Sequence, residues 1–144
     1  DLATSPSSEI YQGGSTILAT TLTDLKLYER WPSKNVTIIA VPRCSQSGRM
    51  NLTALMNQLA ARGINMLMVE AGPGLCGALV QAGLVDEIVM YIAPRFLGHA
   101  AHGLFTWPAL ADLGASIPVV IQDIRKVGMD MRIELKLAAS QANI

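Results

Sequence analysis

The sequence predicts an α/β fold with a mixed, mostly parallel sheet, flanking helices and a C-terminal antiparallel hairpin. Short β-branched runs alternate along the chain with segments of helical periodicity, which is typical of parallel strands joined by right-handed crossovers. The last two apolar runs are separated only by a turn around Gly128, which is typical of a hairpin. At 144 residues the chain suits one domain better than two, so we expect a single domain over residues 1–144.

The first part of the chain predicts two strands. Residues 1–14 are rich in Ser and Gly and lack periodicity, so we expect a loop that leads into the fold. Residues 15–21 are β-branched and predict a strand, and residues 23–31 predict a weak helix or turn that ends at Pro32. Residues 35–41 are apolar at their centre and predict a second strand, buried on both faces.

Residues 51–62 show the clearest helical pattern. Asn51 is a suitable N-cap, and Gly63 stands where a left-handed residue ends a helix. One apolar stripe runs along this helix at Leu52, Leu55, Met56 and Leu59. The remaining predictions are a buried strand over 66–69, a helix over 75–84, a strand over 87–92, an irregular stretch over 95–118, strands over 119–125 and 129–137, and a tail over 138–144.

Composition narrows the class of protein. Eleven basic residues balance eleven acidic ones, so the sequence does not predict binding to nucleic acid or to an anionic membrane. Cys44 and Cys76 are too few for a disulfide framework or a metal quartet, which favours a reduced, cytoplasmic protein. Charged residues make up 15% of the chain against a typical ~25%, so we expect apolar surface to be buried against another chain or a missing part of this one.

A glycine-rich segment after the predicted third strand is the first functional candidate. Gly72, Gly74 and Gly77 form a G-x-G-x-x-G pattern at the start of a predicted helix. Such glycines let the backbone approach a phosphate, towards which the first N–H groups of the helix point. The alternative is a tight turn at the first two glycines and close packing of the helix at Gly77. A standard Rossmann domain is disfavoured, because its acidic residue lies at the end of the next strand, whereas Asp86 and Glu87 lie at the start of that strand.

Glu70 is the second functional candidate. A carboxylate at the end of a buried strand is costly unless it has a partner or faces a cleft. We therefore predict that Glu70 accepts hydrogen bonds from OH or NH groups of a ligand. The alternative is that it pairs with a local arginine or caps a turn.

Other side chains give weaker signals. His99 and His102 lie three residues apart, but no Cys or nearby carboxylate completes a zinc site, so no metal is predicted. Cys76 lies within the predicted helix and is interpreted as a small core residue, and no G-x-S-x-G elbow for a serine nucleophile occurs. Three arginines lie just after predicted strands or at the start of loops and are candidates for contact with a phosphate: Arg43, Arg49 and Arg95.

Residues 66–98 read MLMVEAGPGLCGALVQAGLVDEIVMYIAPRFLG. They combine an apolar strand, VE-x-G-x-x-L, a helix, GLVDE, a second apolar strand and IAP-x-x-L-G. This series closely resembles the reductase domain of the bifunctional riboflavin-biosynthesis deaminase/reductase. Residues 127–132 (VGMDMR) resemble the last hairpin of the same family, and the whole resemblance covers roughly residues 15–137.

The resemblance implies a dihydrofolate-reductase-like fold and a homodimer. The implied reaction is the NADPH-dependent reduction of 5-amino-6-(5-phosphoribosylamino)uracil to its ribitylamino product, with Glu70 in contact with the substrate. The implied cofactor-binding residues are Gly72, Pro73, Gly74, Leu75, Cys76, Gly77 and Ala78. Thr20 and Thr21 are candidates for contact with the cofactor 2′-phosphate. The family also implies a deaminase domain upstream in the intact protein.

The start of the chain departs from the family pattern. Asp1 matches an aspartate midway through the domain, and Leu2 stands where a small polar cofactor contact is expected. We therefore expect the C-terminal portion of a reductase domain, and no catalytic residue is assigned. Two alternatives stay open. One is a related reductase on the same fold that acts on another pyrimidine or a pterin, and the other is a truncated module that binds a nucleotide or dimerises without turnover.

Overall fold

The structure, a computed structural model, describes residues 5–24, 26, 29, 31 and 34–138. The chain divides into two units, residues 1–67 and residues 68–144. The described part of the first unit contains a parallel pair of strands and an α-helix, and that of the second an α-helix and an antiparallel sheet. The α/β class is therefore confirmed, and the single domain stays a prediction. The predicted tail lies outside the described residues from position 139 onward.

Two strands form the parallel pair of the first unit. Strand β1 (Thr16–Thr20) pairs with strand β2 (Val36–Ala40) along its whole length, which confirms both predicted strands. The prediction that the second strand is buried on both faces is wrong, because Thr37 and Ala40 are exposed. A run of apolar residues identifies a strand, but the elements that cover each face are set by the rest of the fold.

The core of the first unit includes part of the predicted lead-in loop. Residues Glu9–Tyr11 form a 3₁₀ helix, and the Tyr11 side chain is only 4% exposed. Tyr11, Trp31 and Val36 form a buried cluster, against which Leu18 and Ile38 pack. The lead-in therefore anchors an aromatic side chain in the core. Positions 25, 27, 28 and 30 of the helix or turn predicted over residues 23–31 lie outside the described residues.

Helix α1 (Leu52–Ala60) confirms the clearest helical prediction. The side chain of Asn51 accepts a hydrogen bond from the Ala54 N–H at 3.0 Å, which satisfies one of the free donors of the first turn. Gly63 follows the helix with φ of +82°, the left-handed conformation in which glycine costs least. The Gln58 side-chain amide donates to the Ala40 carbonyl at 2.9 Å and so joins α1 to the end of β2.

The buried strand predicted over residues 66–69 is wrong. Among the described residues, no backbone hydrogen bond joins this segment to a neighbouring strand. Its side chains are exposed, Met66 by 92% and Met68 by 80%. A strand exists only where its N–H and C=O groups meet a partner, and apolar composition does not supply that partner.

The second unit begins with helix α2 (Pro73–Gln81), which starts two residues before its predicted position. Pro73 occupies the first helical position, where its fixed φ suits the helix and its missing N–H costs nothing. Gly77, Leu79 and Val80 form the buried side of this helix.

Three antiparallel strands follow in the second unit. Strands β3 (Glu87–Ile92), β4 (Val119–Val127) and β5 (Asp130–Leu137) lie in the order β3-β5-β4. Gly128, with φ of +62°, and Met129 form the two-residue turn between β4 and β5, so the predicted hairpin is confirmed. A mostly parallel sheet is not confirmed, because β3 pairs antiparallel with β5. The periodicity of a strand does not specify the direction of its neighbour.

The segment between β3 and β4 is irregular, as predicted, apart from a 3₁₀ helix over Leu113–Ala115. The Asp112 side chain caps this turn by accepting from the Ala115 N–H at 3.1 Å. Throughout the described ranges, no helix has both the length and the apolar content to cross a bilayer.

We expect the variant Asn51→Ala to lower the free energy of unfolding by about 1 kcal/mol, because the Ala54 N–H loses its side-chain acceptor. Asn51→Asp keeps an acceptor oxygen and should retain most of the stability. The matched control is Asn57→Ala, at an exposed position inside the same helix. Urea denaturation followed by circular dichroism measures all three. Equal losses at positions 51 and 57 would contradict the capping role.

Candidate functional site

The glycine-rich candidate segment forms the entry to α2. Gly72 is the N-cap, with an extended backbone at φ of −71° and ψ of 168°. Its carbonyl accepts the N–H of Cys76 at 3.2 Å, the first hydrogen bond of the helix. Because Pro73 has no N–H, the donors of the first turn that lack an intrahelical acceptor include those of Gly74 and Leu75.

The backbone of this first turn is open to solvent at its two glycines. Gly72, Gly74 and Leu75 are exposed. A Cβ atom added at Gly72 or Gly74 would meet no atom within 4 Å, so a ligand can approach the backbone there. N–H groups at the positive end of the helix dipole favour an anion at this point. We name residues 72–75 the anion turn.

Residues 76–78, which follow the anion turn, are less exposed than its glycines. Cys76 and Ala78 are half-buried, and the Cys76 thiol donates to the Ala71 carbonyl at 3.3 Å. Gly77 is buried, and a Cβ added there would lie 2.7 Å from the backbone oxygen of Thr106. These contacts favour the close-packing interpretation for Gly77. Direct cofactor contact by Cys76, Gly77 and Ala78 stays a prediction.

The segment that packs on Gly77 was missed by the sequence reading. The Thr106 N–H donates to the Pro73 carbonyl at 3.0 Å. On either side of Thr106, the rings of Phe105 and Trp107 stack with centroids 5.1 Å apart and planes at 11°. The only sequence signal for this segment was the Phe-x-Trp spacing. Alternate residues of an extended chain point to the same side, so this spacing indicates that the two rings can meet.

Glu70 does not lie at the end of a buried strand, so the prediction that its burial requires a partner is wrong. The residue is exposed, in the segment that connects residues 66–69 to the anion turn. An exposed carboxylate keeps its hydration and needs no protein partner. It remains able to accept hydrogen bonds from a ligand, and its contact with substrate stays a prediction.

Two further candidates have partners within the chain. Arg43 donates from Nη1 to the Gly48 carbonyl at 2.8 Å, so it braces its own loop. Thr20 is 4% exposed, and its Oγ1 accepts the Leu22 N–H at 3.1 Å. Burial and this bond disfavour Thr20 as a cofactor contact, whereas Thr21 is half-buried.

The remaining candidates are exposed or lack the partners for a site. Arg49, Arg95, His99 and His102 all lie at the surface. In the part of the chain that the structure describes, no three His, Cys, Asp or Glu side chains are grouped to hold a metal. Hydrogen bonds lower the pKa of the Cys44 thiol. The largest effect comes from the Ser47 backbone, followed by the Ser47 side chain and the Gln46 backbone.

Comparison with known proteins identifies the family. Residues 2–131 match the RibD C-terminal domain. The chain belongs to this family. Riboflavin biosynthesis protein RibD of Escherichia coli is 42% identical over 126 residues, which are 88% of this chain and 33% of that protein. The resemblance drawn from residues 66–98 is therefore confirmed at the level of the family.

One further relative and one solved structure are similar to this chain. A protein of Buchnera aphidicola named 5-amino-6-(5-phosphoribosylamino)uracil reductase is 30% identical over 105 residues, 73% of this chain and 49% of that protein. A solved structure of Acinetobacter baumannii RibD aligns with a TM-score of 0.78 at 19% identity over 96% of this chain and 35% of that one. At that identity the likeness shows the fold alone. The chain spans a third to a half of the length of these proteins.

The two glycines of α2 should respond oppositely to alanine. Gly77→Ala places a methyl group 2.7 Å from a backbone oxygen, and we expect the free energy of unfolding to fall by about 1–3 kcal/mol. Gly74→Ala meets no atom within 4 Å and gains helix propensity, so stability should be unchanged or higher by about 0.5–1 kcal/mol. Thermal and urea denaturation compare the two. A Gly77→Ala variant as stable as the parent would contradict the close packing.

Proposed function

We propose that this chain carries the reductase activity of riboflavin biosynthesis, the NADPH-dependent conversion of 5-amino-6-(5-phosphoribosylamino)uracil to the ribitylamino product. The observation that carries the proposal is the anion turn, an open backbone surface at a helix N-terminus inside a region that matches the RibD C-terminal domain family. The name of the Buchnera relative supports this substrate.

The residues of the anion turn fit a phosphate group of NADPH. The N–H groups of Gly74 and Leu75 lack intrahelical acceptors, and the glycine positions leave space for a phosphate oxygen. When bound, NADPH supplies the hydride. We propose that the chain holds it through Gly72, Gly74 and Leu75, while Gly77 acts by packing.

The substrate must present an electrophilic carbon to that hydride. Opening of the ribose ring converts the ribosylamine to an imine at C1. A C–H bond then forms at C1, the electron pair of the C=N bond moves to nitrogen, and nitrogen takes up a proton. The chain orients the substrate for this step. Glu70, which lies two residues before the anion turn, would accept hydrogen bonds from NH or OH groups of the substrate.

Further features of the intact protein follow from the family resemblance. We propose a dihydrofolate-reductase-like arrangement with a mostly parallel central sheet, a cytoplasmic location and a deaminase domain upstream. We also propose a homodimer. In its support, apolar side chains on the antiparallel sheet stay exposed, including Tyr91 by 60%, Ile121 by 58% and Ile124 by 51%.

Calorimetric titration of this 144-residue chain with NADPH and with NADH tests the cofactor assignment. We expect NADPH to bind more tightly by about 10- to 100-fold. The reason is that charge-assisted hydrogen bonds to the 2′-phosphate are worth about 1.5–3 kcal/mol. Equal affinity for the two would contradict the preference for NADPH. If circular dichroism shows that the chain is folded and it binds neither NADPH nor NADH, the result would contradict a self-sufficient cofactor site.

The variant Glu70→Gln tests the substrate role. It removes the charge but keeps the shape, so we expect kcat/KM for the uracil substrate to fall about 10- to 100-fold with little change in stability. The control is Glu87→Gln, an exposed carboxylate at the start of β3. NADPH oxidation at 340 nm measures turnover. Unchanged turnover in Glu70→Gln would contradict the role, and NADPH binding without turnover in the parent chain would favour the non-catalytic alternative.

A further inference from the structure

We infer that Thr106 is a positioning residue for the cofactor site: its backbone clamps the first turn of α2 and so holds the anion turn in its binding geometry. This inference rests on the proposed function for the identity of the ligand. It goes further in assigning a role to residues 105–107, outside the glycine-rich motif. We name residues 105–107 the clamp.

Thr106 touches α2 at two points that are one helical turn apart. Its N–H donates to the Pro73 carbonyl at 3.0 Å, and its carbonyl oxygen lies 2.7 Å from the place where a Gly77 Cβ would be. Residues 73 and 77 are related as i and i+4, so they share one face of the helix. A carbonyl has two lone pairs, which lets Pro73 accept from Thr106 and still join the helical ladder.

Glycine at position 77 is what allows this contact. With a side chain there, the Thr106 backbone would have to move away, because its nitrogen and carbonyl carbon also lie 3.2 and 3.3 Å from the added Cβ position. The same addition at Gly74 meets nothing within 4 Å. The third glycine of the G-x-G-x-x-G pattern therefore serves the clamp, while the first two serve the exposed side of the turn.

The aromatic pair gives the clamp a defined conformation. Phe105 and Trp107 are half-buried and stacked on each other, whereas Thr106 between them is exposed. A stacked pair restricts the backbone that carries it. Gly74 and Leu75, whose N–H groups face the proposed phosphate, lie between the two α2 residues that the clamp touches. Movement of Thr106 would consequently tilt those donors, and a hydrogen-bonded site tolerates only about 0.5 Å of displacement.

The decisive variant is Thr106→Pro, which removes the N–H, compared with Thr106→Ala, which keeps it and alters only an exposed side chain. We expect the Kd for NADPH, measured on folded protein, to rise about tenfold or more in Thr106→Pro and to stay within about twofold in Thr106→Ala. At saturating NADPH, kcat should be unchanged while KM for NADPH rises. Loss of thermal stability with an unchanged Kd would mean that the contact is only structural and would overturn the inference.

A second measurement needs no cofactor. With 5-fluorotryptophan the chain has two fluorine resonances, from Trp31 and Trp107, and Trp107→Phe assigns them. Gly77→Ala should shift the Trp107 resonance and leave that of Trp31, and Gly74→Ala should leave both. An unmoved Trp107 resonance in Gly77→Ala would overturn the inference. If the parent chain binds no NADPH, the proposal of a self-sufficient cofactor site fails, and the fluorine spectrum still decides whether the clamp couples to α2.

Discussion

The N–H of Thr106 bonds to the Pro73 carbonyl, and the missing side chain of Gly77 leaves the space that this approach requires. The candidate site depends on this contact between two backbones. It joins an irregular segment to the first turn of α2, where the exposed N–H groups of the anion turn lie. Backbone contacts are well suited to this task, because they cannot change rotamer and they place donors with little conformational freedom.

The two sides of the N-terminal part of α2 have different chemical roles. The exposed side has glycines without neighbours and N–H groups without acceptors, which together favour an anionic ligand. The buried side carries Gly77 and the clamp, and its requirement is volume. One glycine motif therefore contains two kinds of glycine, distinguished by what a Cβ atom would meet. This division explains how the phosphate interpretation and the packing interpretation both apply to the same six-residue motif, residues 72–77.

The sequence pattern predicted the positions of all five described strands, but it did not predict every pairing between them. The alternation of apolar and polar residues along β5 predicted a half-exposed strand, and the turn at Gly128 identified the hairpin. The segment 66–69 is as apolar as a buried strand, yet its described residues pair with no neighbour and Met66 is 92% exposed. A strand is completed by hydrogen bonds to residues distant in sequence, so no local pattern can establish it.

Local sequence was sufficient where the physical cause is local. Asn51 caps α1 through its own side chain, Gly63 adopts a left-handed φ next to it, and the motifs of residues 66–98 identify the family. Only the tertiary structure showed that Glu70 is exposed and that Thr106 packs on Gly77, because exposure and packing depend on chain segments that meet in space. Capping and turn conformation depend on residues within a few positions of each other. Packing brings together residues as far apart as Gly77 and Thr106, nearly thirty positions, so it could be read only from the tertiary structure.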